Sequence, residues 1–399
     1  MTAFYVSASG KDNWAGTLAK PWRTIAKANA ASLAAGDSVL LRRGDVWHEM
    51  LRPASGVTYG AYGEGDNPLL TADSSRRACV LMLSVHDVVI DRIDCDGPTS
   101  SSLGYDRHAP IYTDEHSSNI TVKNLRVTKG GFGVQDGALD ALDLDYAVGA
   151  TNLVYDNIEA TDCLSTGIYH RGAGAILNCK SHDNGLGDTG VGDRGGIGVQ
   201  GGPLLIQGNE IWNIGEPDNS VDFAISLWRP QGVITISRNY IHDITCGCVQ
   251  FYQGSDGHVV ANNIFEDYGT STAGDIDGKH SGVLIRYTNG VQVLHNVFSH
   301  GGTSAHAICH CICAHGDASD TRILNNICYE CENPFVFILP NAITDRFVCD
   351  HNMFYKSDGN YSDGWRWKSY HAIDSLSAWC SATGQAAEEE RIIVESSKF

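Results

Sequence analysis

The stretch "GVLIRYTNGVQVLHNVFSH" (Gly282–His300) holds two apolar runs, a turn at Thr288–Gly290, and a polar Asn296 inside the second run. The same phrase recurs. Short alternating apolar runs lead to Asn124, Asn157, Asn178, Asn209, Asn239, Asn263, Asn296, Asn326 and Asn352, at successive spacings of 33, 21, 31, 30, 24, 33, 30 and 26 residues. A period that wanders between about 20 and 35 residues is that of a solenoid. Asparagine tolerates the left-handed backbone of a tight corner and bonds neighbouring backbone with its side chain, so these positions predict stacked corners.

Before most of these phrases sits another short strand bounded by glycine or polar residues, such as "GGIGVQGG", "CGCVQFYQG" and "SGVLIRYT". Helical periodicity is absent between them, which excludes βαβ units. Three short strands per turn describe an all-β, right-handed parallel β-helix of about ten coils. Such a stack exposes its ends. "KPWRTIAKANAASLAAGD" (Lys20–Asp37) is Ala-rich and stops at Gly36, so it predicts an N-terminal helical cap. "HAIDSLSAWCSATGQ", from His371, reads as a short C-terminal helix. The expected organisation is a cap and first coil over 1–50, the β-helix over 51–371, and a helix and tail over 372–399.

The chain has 399 residues, is 42% hydrophobic and has no run long enough to span a membrane as a helix. Its formal charge of −19 repels nucleic acid and anionic lipid. Thirteen cysteines are spread along the chain, unlike a small disulfide scaffold.

The N-terminal region carries Ser7, Gly10 and Asp12, then Gly16–Thr17, then Pro21, Thr24, Ile25 and Ala28, then Gly36–Asp37 through Arg42, Gly44 and Glu49. This pattern resembles the cap of pectate-lyase-like right-handed β-helix proteins. With the repeats, the resemblance extends over nearly the whole chain. It implies a protein outside the cell or on a virion surface, acting on polysaccharide: a lyase, a glycoside hydrolase, or a phage tailspike. Tailspikes of this kind are usually homotrimers. The opening "MTAFYVSASGKDNW" lacks the features of a secretory leader, so the expectation is either a leader already removed or export by another route, such as a virion.

Strand alternation places Ile111, Val134, Ile168, Ile197, Ile225, Val249, Val283 and Ile308 inward. The outward row is then Tyr112 and Asp114, Gln135, Tyr169 and Arg171, Gln200, Trp228, Gln250 and Tyr252, Arg286, and Cys309 with Cys311. Aromatic faces stack on sugar rings, while amides and guanidinium groups bond hydroxyls and carboxylates, so this row is a candidate glycan groove. Trp228, Tyr169, Arg171, Gln200 and Gln250 are the candidate binders.

A lyase needs a cation against the substrate carboxylate, a base for the α-proton and an acid for the leaving oxygen. Arg286, Lys279, His280 and Tyr252 are the candidates. A hydrolase needs two carboxylates, for which Asp188, Asp193, Glu216, Asp218 and Asp222 border the face. Asp275 and Asp277 are candidate Ca2+ ligands, since many lyases of this fold use calcium. In "CHCICAH" (Cys309–His315), alternate cysteines lie ~6.8 Å apart along a strand, too wide to close a tetrahedron. Stacked small residues or disulfides are the expected reading there.

Overall fold

In the computed structural model, the structure describes residues 1–73, 78–98, 108–137, 149–185, 195–215, 222–271, 278–302, 310–332, 336–338, 346–357 and 366–367. The chain divides into two compact units, Met1–Val191 and Gly192–Phe399. Each is built of parallel strands paired coil on coil, the architecture of a right-handed β-helix.

The first unit opens with strand Ala3–Val6, paired in parallel with Ser38–Arg42. The helix between them is short, Ile25–Asn29, rather than Lys20–Asp37. Alanine propensity alone does not hold an isolated helix of that length; packing and caps do. Thr24 caps the N-terminus, its hydroxyl accepting from the Lys27 N–H at 3.0 Å. Only Ile25 and Ala28 are buried on the helix. Beyond it, Asp37 accepts from the N–H groups of Thr2 and Ala34, which holds that segment as a turn.

The N-terminal motif has a physical explanation in these contacts. Asp12 accepts from the Arg23 and Thr24 N–H groups and from the Thr24 hydroxyl. Glu49 accepts from Ala26 N–H at the helix start. At Gly16, with φ of 75°, a Cβ would lie 2.5 Å from the Trp22 ring, so only glycine lets the indole close.

In the second unit each coil has three strands. One runs Phe223–Trp228, Ile234–Ser237, Tyr240–Ile244, and the next Gly247–Tyr252, Val259–Ala261, Ile264–Tyr268. Inward residues stack in register: Ile225 on Val249 on Val283 on Ile312, and Phe265 on Phe298 with rings 4.9 Å apart. Each such buried side chain contributes about 1.5–3 kcal/mol. Single left-handed residues turn the corners, for example Arg238, Asp243 and Gln253.

The asparagines form a ladder, but of two kinds. Asn209, Asn239, Asn263, Asn296, Asn326 and Asn352 are buried. Each Oδ1 from Asn239 onward accepts both the backbone N–H and the side-chain N–H of the previous one, at 2.9–3.0 Å. From Asn239 onward, each Nδ2 also donates to a carbonyl in an adjacent coil, as Asn296 does to Val260. Here the left-handed residue is not the asparagine but the one before it: Gly208, Arg238, Asn262, His295, Asn325 or His351. Asn124, Asn157 and Asn178 are themselves left-handed and point outward, and the residues after them, Leu125, Ile158 and Cys179, take the buried place.

Replacing Asn296 by Leu removes the acceptor for two N–H groups of Asn263 and the donor to Val260 and Asn326. Buried groups left unpaired cost about 1–3 kcal/mol each. The variant should therefore lose about 3 kcal/mol or more in urea unfolding, while Asn157→Leu on the outer side loses far less; equal losses would contradict the ladder.

His258 supplies a second test. Its Nδ1 accepts from Ile234 N–H at 3.0 Å, and its ring stacks on Phe251. Burial depresses its pKa to about 4. The unfolded state, titrating near 6.5, then binds more protons between these values, so this contribution is full above pH 6.5 and is lost as pH falls toward 4. The loss is on the order of 3 kcal/mol. In His258→Gln the fall in urea midpoint between pH 7 and pH 4.5 should shrink; an unchanged fall would assign the acid sensitivity elsewhere.

Candidate functional site

One face of each unit carries the outward row anticipated from the sequence. In the first unit Leu81, Tyr112, Gln135 and Tyr169 stand in register. Tyr169 stacks on Phe132, and the Arg171 guanidinium lies 5.2 Å from the Tyr169 ring centre. Tyr112 is buried, its hydroxyl donating to the Gly137 carbonyl, and burial raises its pKa. Asp114 is not a surface acid: it accepts from Ser84 N–H and the Ser117 hydroxyl and fixes a turn.

In the second unit the row separates into two lines. Ser226, Gln250, Leu284 and Cys313 are paired in one. All four are buried. Gln250 is 3% exposed, and Gln200 only 4%, so these amides do not lie open as the sequence suggested. The loop before Val283 explains part of this cover. A Cβ at Gly278 would fall 2.3 Å from the Cys313 sulfur, so the loop backbone rests on that side chain.

The second line is half-exposed: Trp228, Tyr252, Arg286 and His315, paired strand to strand. Trp228 and Tyr252 stack with ring centres 4.3 Å apart and planes at 18°. The Arg286 guanidinium sits 5.1 Å from the Tyr252 ring centre. Such a cation over a ring is held in place as well as attracted. Tyr287, itself left-handed, meets both Tyr252 and His315 edge to face. Trp228 Nε1 and Ser226 Oγ are buried and have no hydrogen-bond partner among the described residues.

Lys279 and His280 are not brought to this line. His280 is fully buried. The Lys279 carbonyl lies over Gly247, at the opposite end of strand Gly247–Tyr252 from Tyr252. Five residues of strand separate the two by about 16 Å. Asp222 is fully buried. Asp188, Asp193, Glu216, Asp218, Asp275, Asp277, Ile308 and Cys309 lie outside the described residues, as does the expected C-terminal helix.

His315 was missed because the register at "HAICHCICAH" was read four residues early. Ile312, not Ile308, pairs with Val283, which puts His315 in the outward place next to Arg286 and leaves Cys311 buried ahead of the strand. Alternation cannot detect a shift by an even number of residues. The distance to the next ladder asparagine can: Ile225, Val249 and Val283 precede theirs by 14, 14 and 13 residues, Ile312 precedes Asn326 by 14, and Ile308 by 18. A second missed feature is Cys328-Tyr329-Glu330-Cys331, whose sulfurs converge with that of Cys311. The two-residue spacing was its signal.

A family model described as a right handed beta helix region matches residues 111–274. No curated protein matches the sequence. Among solved structures, a DFA-IIIase from Arthrobacter chlorophenolicus A6 is similar over 86% of this chain and 93% of its own, at 13% identity and a TM-score of 0.58. XylC in complex with xylose covers 90% and 86%, at 12% identity and 0.57. The GH136 lacto-N-biosidase from Eubacterium ramulus covers 89% and 68%, at 14% identity and 0.52. At such identities the likeness is one of fold: the chain is a right-handed parallel β-helix.

Proposed function

We propose that the protein is a carbohydrate-active β-helix enzyme, a polysaccharide lyase that cleaves an acidic glycan on the line Trp228–Tyr252–Arg286–His315. The observation that carries the reading is the stacked pair Trp228–Tyr252 continued by a guanidinium fixed over the second ring. The paired rings offer flat apolar faces to sugar C–H groups. Arg286 provides a positive charge on a rigid strand, in a chain of net charge −19, where a uronate carboxylate would be held. His315 is one coil away, ~4.8 Å along the stack. The similar structures, a lacto-N-biosidase and a xylose complex among them, support carbohydrate as the substrate class.

In this reaction Arg286 neutralises the carboxylate and so acidifies the adjacent C–H. His315, one coil on from Arg286, takes that proton. The C–O bond to the leaving sugar breaks, a C=C bond forms in the sugar left behind, and the leaving oxygen is protonated, with Tyr252 the candidate acid. No water is consumed. Hydrolysis is the second reading, supported by the glycosidase among the similar structures. It needs an exposed carboxylate pair, and the one such candidate among the described residues, Asp222, is buried. A virion protein that binds glycan without cleaving it would use the same rings.

A panel of uronate-containing and neutral polysaccharides tests this. The expected result is ultraviolet absorbance from unsaturated uronate with an acidic glycan alone. New reducing ends without that absorbance would replace lyase by hydrolase, and no product from any glycan would remove the enzymatic reading. On the cleaved glycan, Arg286→Ala should lower kcat by roughly 100-fold or more, and Trp228→Ala should chiefly raise KM. Near-full activity of Arg286→Ala would overturn the assignment.

A further inference from the structure

Three cysteines meet inside the second unit. Cys328 is the inward residue of strand Ile327–Tyr329, stacked on Phe298. Glu330, left-handed at φ of 51°, turns the chain so that Cys331 returns to the same interior corner. Cys311 arrives from the segment entering strand Ile312–His315. The three sulfurs all lie within 4.8 Å of one another, and no residue of the three is more than 2% exposed. Cys311 Sγ and Cys328 Sγ are 2.8 Å apart.

We infer that these three cysteines form a zinc site. Buried thiols packed as small apolar residues have no reason to converge three at a time, whereas a Cys-x-x-Cys turn plus a distant cysteine is a common way to present sulfur to zinc. Zn–S bonds of about 2.3 Å place tetrahedral sulfurs about 3.7 Å apart, within reach of the observed cluster. A disulfide would use two of the sulfurs and strand the third. Other groups already aim at Cys331: the Tyr268 hydroxyl at 3.8 Å and the Gly301 N–H, both suited to spread the charge of a thiolate. The Cys331 sulfur also lies 3.7 Å from the Tyr329 carbonyl, a weak partner that the thiol form would use. Three thiolates leave one position of the zinc tetrahedron for an oxygen, and Tyr268 is the oxygen beside it. The ion would tie the segment entering Ile312–His315 to strand Ile327–Tyr329, with Cys311 and Cys328 17 residues apart in the chain.

Zinc content by mass spectrometry of the elements, on the full chain purified with reductant, should give about one equivalent that survives dialysis. Cobalt in its place should show a thiolate-to-cobalt charge-transfer band in the near ultraviolet. Cys311→Ser and Cys328→Ser should each reduce that band by about a third or abolish it, while Cys163→Ser, buried in the first unit, leaves it unchanged. The wild-type stoichiometry and band need no variant, so a misfolded variant does not blunt the test. Absence of zinc together with absence of the cobalt band, a band untouched by both variants, or a Cys311–Cys328 disulfide found in the reduced preparation would each overturn the inference.

Discussion

The buried asparagine ladder from Asn209 to Asn352 is the constraint on which the second unit depends. A solenoid must turn its chain sharply three times per coil, and every turn removes backbone groups from strand pairing. From Asn239 onward each ladder asparagine closes this deficit: its side-chain carbonyl takes two N–H groups from the coil before, and its amide bonds a carbonyl in an adjacent coil. Burial makes these bonds obligatory, because nothing else can satisfy the groups. With Asn296 stacked on Asn263, the strand Val283–Arg286 pairs with Gly247–Tyr252 so that Arg286 follows Tyr252.

The stack turns a repeated strand into a row of side chains at a spacing the backbone dictates. Coils ~4.8 Å apart bring Trp228 and Tyr252 into stacking contact without any loop to position them. Arg286 then takes the next place and His315 the one after. Precision of this kind suits a guanidinium that must meet charge as it develops, since a group on a strand needs no reorganisation. The line through Ser226, Gln250 and Cys313 shows the opposite use of the same geometry: it is buried, with the backbone at Gly278 resting on Cys313, and the half-exposed residues are those at the strand ends.

Much of this was legible in the sequence. Recurrent asparagines after alternating apolar runs gave the solenoid, and alternation alone put Trp228, Tyr252 and Arg286 on one outward row. The departures have specific causes. The Lys20–Asp37 helix shrank to Ile25–Asn29, the part whose start Thr24 and Glu49 cap, while Asp37 holds the segment beyond it as a turn. Asn124 and Asn209 look alike in sequence, yet the left-handed residue is Asn124 in one case and Gly208 in the other, so one points out and the other in. Ile308 was chosen over Ile312 because a slip of four leaves alternation intact. The burial of Gln250 and His280 follows from tertiary packing, which no local pattern records.

The central claim is that the line from Trp228 to His315 binds an acidic sugar chain. A crystal of His315→Asn soaked with an oligouronate tests it directly. The account predicts sugar rings laid over Trp228 and Tyr252, with a carboxylate paired to the Arg286 guanidinium. Ordered oligosaccharide bound elsewhere, or lying on the rings with its carboxylates turned away from Arg286, would contradict it.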